Sequence, residues 1–234
     1  MSLRQSGVQL SNLLKTKVLV HKIQERVKAH FLNQEGSHDW HHIKRVLALS
    51  LILQDKEGGD RELVSLCALL HDISDHKYNG GDFELGGAVA KQWIIESGGN
   101  EILANKVAAI VPSISYKGAN VKDEELSIEG QIVRDADRLD AIGAIGIARA
   151  FAYGGSKGRP LYDPHVPPVM HSTKEDYLKS KTHTINHFYE KLLKIKERVR
   201  TNSGKKIANQ RHGFMLIFLN QFYTEWDSKN GQED

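Results

Sequence analysis

Apolar residues in this 234-residue chain recur at three- and four-residue steps almost throughout, and no segment alternates convincingly with a period of two. Val20, Ile23, Val27 and Phe31 are spaced this way. So are Ile43, Val46, Leu47, Ser50 and Leu51, and again Leu63, Leu66, Cys67 and Leu70. Such steps gather side chains on one face of a helix, which then has to be buried against other helices. The spacing predicts helices over 13–33, 39–56, 61–73, 83–97, 101–112, 125–152, 173–200 and 204–227. Gly143 and Gly146 are candidate break points in the sixth. Asp60 and Asn100 stand where N-caps belong, Ser172 with Glu175 has the spacing of a capping box, and Ser203 precedes the run from Gly204. Paired glycines at 58–59, 80–81, 98–99 and 154–155 separate the elements.

The expected fold is therefore all-α, a single-domain bundle of about eight or more helices. The length allows one large domain or two small ones. With no internal repeat and no break in composition, one domain over residues 12–228 is the simpler reading. Residues 1–11 and 229–234 read as flexible termini. Residues 153–171 carry four of the five prolines. A loop of that length in a compact domain is usually functional or disordered, and here it is expected to be either a lid over a site or an ordered packing arm.

Composition excludes several classes. The single cysteine, Cys67, rules out an intrachain disulfide and a CxxC zinc site, and it lies in an apolar run where a buried thiol is expected. A net charge of +3 gives no case for nucleic acid. The basic stretch from Lys191 to Arg200 reads as the wet face of an amphipathic helix. No run approaches the ~20 apolar residues that span a bilayer, and no signal peptide is evident. A soluble cytoplasmic protein is expected, one in which self-association is open.

Three segments gather histidines and acids at helix positions: SHDWHHIKRV (37–46), LLHDISDHKY (69–78) and RDADRLDAIG (134–143). His71-Asp72 closes an apolar helix, where a carboxylate is costly unless it is paired or metal-bound. Neighbouring helical side chains point ~100° apart, so this pair can grip an ion only from the helix edge, with further ligands from other helices. Asp137 lies among Ile132, Val133, Ala136 and Leu139, and His42 opens the face of Ile43, Val46 and Leu47. Singly, each has an ordinary explanation. A lone histidine is usually a surface or core residue, and Asp137 has Arg134 and Arg138 within reach for a salt bridge.

The ordered set is what changes the reading. Asp39, His42, Arg45 and Val46 form D-x-x-H-x-x-R-V, His71-Asp72 ends ALLHDI, and Asp137 sits in ADRLDA. This order resembles the HD superfamily of metal-dependent phosphohydrolases, in which a His, an adjacent His-Asp and a distant Asp come from different helices. The resemblance extends over most of residues 20–227, including DADRLDAIGAIGIARAF and the segment near 204–215. It is closest to small single-domain members, and ADRL is similar to the signature of ppGpp hydrolases. It implies His42, His71, Asp72 and Asp137 as ligands of one divalent metal. A mixed imidazole–carboxylate set suits Mn, Fe, Co, Ni, Zn or Mg. Such an ion would activate a water and polarise phosphorus.

Asp75, three residues beyond Asp72, is the candidate base for that water, with pairing to Lys77 as its alternative. Lys77, Lys117, Arg138 and Arg159 are candidates for contact with the phosphate, Arg138 foremost because it abuts Asp137. Arg45 is expected to support the site through an acid, or to reach the substrate. His38 and His41 would lie at the rim. His76 could serve a second metal, although one metal is the expectation. His183 and His187 are expected on the surface, since Thr184 breaks the H-E-x-x-H pattern. The expected substrate is a nucleotide or other small phosphomonoester. The alternatives are a phosphodiester or ppGpp-like pyrophosphate as substrate, or a non-catalytic metal- or nucleotide-binding sensor. Trp40, Tyr78, Tyr116 or Tyr153 could stack on a base.

Overall fold

The computed structural model describes residues 3–32, 39–73, 84–114, 123–169 and 182–227, with side chains from residue 14 onward in the first stretch and from residue 85 in the third. Every regular element among them is helical: α1 Leu3–Phe31, α2 Trp40–Glu57, α3 Arg61–Leu70, α4 Glu84–Glu96, α5 Glu101–Ile110, α6 Ile128–Asp140, α7 Gly143–Ser156, α8 Thr184–Glu190 and α9 Asn202–Trp226. Short 3-10 segments follow α5 at Val111–Ser113 and α8 at Leu192–Arg198. The all-α expectation holds.

The contacts group the chain into two compact units. One holds the described residues up to 114 together with 123–137, and the other holds those from 138 onward.

In the first unit α3 is the central element. It packs against α1, α2 and α5, and every residue from Leu63 to Ile73 is buried. Asp60 starts α3, its Oδ1 accepting from the backbone N–H groups of Glu62 (2.9 Å) and Leu63 (3.2 Å). The apolar side chains then follow on all sides, each stabilising by ~1.5–3 kcal/mol on burial. Asn100 caps α5 in the same way, accepting from Leu103 N–H at 2.9 Å. Helices α4 and α5 approach closely at Gly87, where a Cβ would stand 2.6 Å from the carbonyl oxygen of Ala108.

In the second unit α7, α8 and α9 surround an aromatic cluster of Phe151, Phe188, Phe218 and Phe222, with ring centroids 5.8–6.4 Å apart. Tyr162 joins it edge-on to Phe222.

Four boundaries differ from the spacing-based reading. Helical backbone begins at Leu3, inside the segment expected to be a flexible terminus. The 125–152 helix is two helices, because Gly143 adopts φ +76°, a left-handed conformation that other residues resist. The 173–200 helix is interrupted in its described part: His183 caps α8, and Lys191 leaves helical geometry at φ −138°. Thr201 rather than Ser203 caps α9, accepting from Gly204 N–H at 3.2 Å. The capping box at Ser172 and Glu175 lies outside the described residues.

Candidate metal centre

The start of one helix, the end of a second and Asp137 of a third converge in the first unit. Helix α2 begins at Asp39, whose Oδ1 accepts from His42 N–H at 2.8 Å. The acid of the D-x-x-H spacing is thus the cap that fixes the turn carrying His42. Helix α3 ends at His71 with Asp72 directly after it. Asp137 sits one turn before the end of α6. His42, His71 and Asp72 are 1%, 4% and 6% exposed.

The four side chains meet at short range. His42 Nε2 lies 3.2 Å from His71 Nε2, 3.4 Å from Asp72 Oδ2 and 3.5 Å from Asp137 Oδ1. His71 Nε2 lies 3.4 Å from Asp72 Oδ2 and 3.8 Å from Asp137 Oδ1. Ligand atoms ~2.0–2.2 Å from one ion and roughly 90–110° apart at it are themselves ~3.0–3.5 Å apart. Four of these five separations match that polyhedron edge, and the fifth corresponds to a somewhat wider angle. The atoms of His42, His71 and Asp72 all lie within 4.8 Å of one another, a group that could hold a metal ion.

The orientation of the His71 ring supports the same reading. Its Nδ1 is 2.9 Å from the carbonyl oxygen of Ala68; with the proton on Nδ1 the ring donates there and turns its Nε2 lone pair toward the cluster. Backbone carbonyls set metal-ligating histidines in this way. Buried lone pairs and carboxylates facing one another repel unless a cation or a shared proton lies between them. Two imidazole nitrogens and the Asp72 carboxylate, with Asp137 beside them, make a donor set that fits a divalent ion of intermediate softness. The side chain of Asp137 is 20% exposed against 1%, 0% and 5% for His42, His71 and Asp72, so the cluster opens toward solvent at Asp137.

The other sequence candidates divide. Arg45 lies half-buried on α2, three residues past His42. Arg138, the foremost candidate for phosphate contact, is 4% exposed and donates from Nη1 to the carbonyl oxygen of Arg198 at 2.6 Å. Arg134 likewise donates to the carbonyl of Glu124 at 2.8 Å, while the carboxylate of Asp137 meets the two imidazoles. Arg159 belongs to the second unit, its guanidinium 5.7 Å from the Tyr153 ring centroid. His41 is exposed. Asp75, Lys77, Lys117, His38 and His76 lie outside the described residues.

His183 and His187 are not the surface residues the sequence led us to expect. His183 is 2% exposed. Its Nδ1 accepts from Asn186 N–H at 3.2 Å, and its Nε2 is 3.1 Å from the Val166 carbonyl oxygen. His187 is half-buried, and burial together with the charges of Lys191 and Arg159 pushes its pKa down to about 3. The carbonyl of Ala68 carries no side-chain signal and could not have been found from residue types.

The family model for the HD domain matches residues 39–142, which contain all four converging side chains. The chain is similar to the uncharacterized protein YpgQ of Bacillus subtilis (strain 168), 35% identical over 201 residues that cover 86% of this chain and 90% of that protein. The chain belongs to the HD superfamily. Among HD-superfamily structures, it is similar to a hydrolase from Bacillus thuringiensis at 39% identity and a TM-score of 0.73, covering 91% of this chain and 98% of that one. It is also similar to the structure of B. subtilis YpgQ in complex with ADP, at 31% identity and a TM-score of 0.71, covering 90% and 96%. Among the described residues no helix is long and apolar enough to cross a membrane.

Proposed function

We propose that this HD-superfamily protein is a divalent-metal-dependent phosphohydrolase that acts on a nucleotide or a similar small phosphate ester. The observation that carries this reading is the mutual approach of His42 Nε2, His71 Nε2 and Asp72 Oδ2, a group that could hold a metal ion, with Asp137 Oδ1 beside it at 3.5 Å from His42 Nε2. A divalent ion held there would supply Lewis-acid polarisation of a phosphoryl oxygen and an acidified water. The side chains do the rest. His42 and His71 would present ring nitrogens to the ion, Asp72 and Asp137 would offset its positive charge, and the Ala68 carbonyl holds one ring in orientation. The apolar residues of α3 keep water from the closed side, and substrate approaches from the side of Asp137.

Asp75 is proposed as the base that takes a proton from the attacking water. Arg45, Lys77, Lys117 and Arg159 are the proposed phosphate contacts. Arg138 is proposed as an anchor of α6. A nucleotide substrate is favoured because the YpgQ relative was solved with ADP. The same ligand supports a second reading: ADP carries a phosphoanhydride, so cleavage of a pyrophosphate bond is the alternative.

The test is product release from metal-stripped protein reloaded with Mn, Co, Ni, Mg or Zn, using nucleoside mono-, di- and triphosphates and simple phosphomonoesters. Orthophosphate and pyrophosphate are measured separately, beside Asp72→Ala. Orthophosphate released from a nucleoside monophosphate or a simple phosphomonoester, dependent on a metal and lost in the variant, supports the first reading. Orthophosphate from a diphosphate, which can come only from its phosphoanhydride, or pyrophosphate from a triphosphate supports the second. Neither product, from protein shown to bind the metal, refutes the enzymatic proposal.

A further inference from the structure

The last turn of α6 is held by a set of arginines that the proposed reaction does not use. Helix α6 carries Asp137 and ends at Asp140. Its closing carbonyls are the groups a helix leaves without intrahelical donors. Those of Arg138 and Leu139 accept from Ala141 N–H and Ile142 N–H, each at 3.2 Å. Arg211, on α9, donates from Nη1 to the same Leu139 carbonyl, placing a cation where the helix dipole favours one. Asp140, 3% exposed, accepts from Arg149 of α7 at 2.7 Å, and its charge reaches Arg211 as well. Arg138 is tied to the Arg198 carbonyl.

The backbone is shaped to admit this arrangement. A Cβ at Gly143 would stand 2.9 Å from Arg211 Cγ and 3.0 Å from its Cβ, and the residue's φ of +76° is one that glycine adopts freely. Residues 138–149 and the stretch around Arg211 are thereby joined in one network.

We propose that Arg211 and Asp140 are positioning residues for the metal ligand Asp137. Two residues separate Asp137 from Asp140, and one helical backbone carries both. Clamping the final turn fixes the direction in which the Asp137 carboxylate leaves the helix. Metal sites tolerate only ~0.2 Å of error in ligand distance; loss of a group bonded directly to a ligand typically weakens metal binding ~10–100-fold, and the low end of that range applies to residues that act through the helix backbone. This inference rests on the reading of Asp137 as a ligand.

The experiment compares Arg211→Met, Arg211→Lys, Asp140→Asn, Asp137→Asn and Met215→Ala in the full chain. Met215→Ala removes a buried side chain of α9 one turn from Arg211 and leaves the Leu139 carbonyl untouched. Three quantities are read: the Mn2+ dissociation constant, the visible spectrum of the Co2+-loaded protein, and the melting temperature without metal. Arg211→Met is expected to bind Mn2+ about 10-fold more weakly and to shift the Co2+ spectrum, with Arg211→Lys recovering part of both. Asp140→Asn, which keeps the shape, is expected to move both in the same direction and decides the matter if Arg211→Met does not fold. Unchanged affinity and spectrum in the folded Arg211 or Asp140 variant would overturn the proposal, as would an equal loss in Met215→Ala. If Asp137→Asn also leaves metal binding unchanged, the ligand reading itself fails. If Asp137→Asn weakens binding and Arg211→Met does not, only the positioning role fails.

Discussion

Replacing Asp72 by Asn should remove most of the stabilisation that a divalent metal gives this protein. The exchange keeps the side chain's shape and removes one of the two charges that offset the ion. The ligands come from α2, from the end of α3 and from α6, and even His42 and His71 are 29 residues apart in sequence, so an unfolded chain does not present the site. A metal that binds only the folded state stabilises it by RT ln(1 + [M]/Kd), ~2.7 kcal/mol at a hundredfold excess over Kd. For a chain of this length ~1 kcal/mol moves the melting temperature ~2–4 °C, so the parent should gain about 5–11 °C. Loss of a direct ligand should weaken binding by at least ~100-fold, the upper end seen for outer-shell partners. At the same metal concentration the variant then retains ~0.4 kcal/mol, a shift of about 1–2 °C. The assay is a melting curve of metal-stripped parent and variant with and without Mn2+. An equal upward shift in Asp72→Asn would refute the reasoning, because the stabilising ion would then be bound elsewhere.

Other outcomes follow from the same structure. Asp60→Ala removes the cap of α3 and should cost ~1 kcal/mol, lowering the metal-free melting temperature by a few degrees; an unchanged melting curve would contradict the capping role. His187 is held neutral down to about 3 in the folded protein, against an ordinary value of 6.5. Between those values the unfolded chain takes up a proton that the native state lacks. Its contribution to stability is therefore full above pH 6.5 and falls as the pH drops toward 3, at up to ~1.4 kcal/mol per pH unit. Denaturant unfolding of His187→Gln should show a shallower loss between pH 6.5 and 4, and an identical acid slope would count against it. Cys67 is wholly buried, and burial together with the Glu129 carboxylate pushes its thiol pKa up. It should resist a thiol reagent in native protein and react once the chain is unfolded; rapid native labelling would contradict this.

Much of the fold was legible because the helices are amphipathic and capped by local side chains. Asp60 and Asn100 are read from sequence as caps and act as caps. The breaks were less legible where backbone conformation decides them. Gly143 turns the chain by a positive φ and also clears space for Arg211, a residue 68 positions later that no local window contains. His183 and His187 have the spacing of an exposed pair on a helix. Their burial comes from the 160–166 segment folding against α8, where Thr184 and Ile185 donate to the carbonyls of Pro160 and Leu161.

At the candidate site the ligand residues carried their own signal, an order of His, His-Asp and Asp on separate helices. The support did not, since the Ala68 carbonyl belongs to the backbone. Arg138 shows the limit of adjacency. It follows Asp137 in sequence, but the next residue on a helix points ~100° away, and its guanidinium turns to the Arg198 carbonyl.

The most direct test of the account is an anomalous diffraction map of crystals of this protein grown with Mn2+ or Zn2+. The account predicts one peak per chain, ~2.0–2.3 Å from His42 Nε2, His71 Nε2, Asp72 Oδ2 and Asp137 Oδ1. A peak bound elsewhere, or no peak with the two imidazoles hydrogen-bonded directly to the carboxylates, would contradict it.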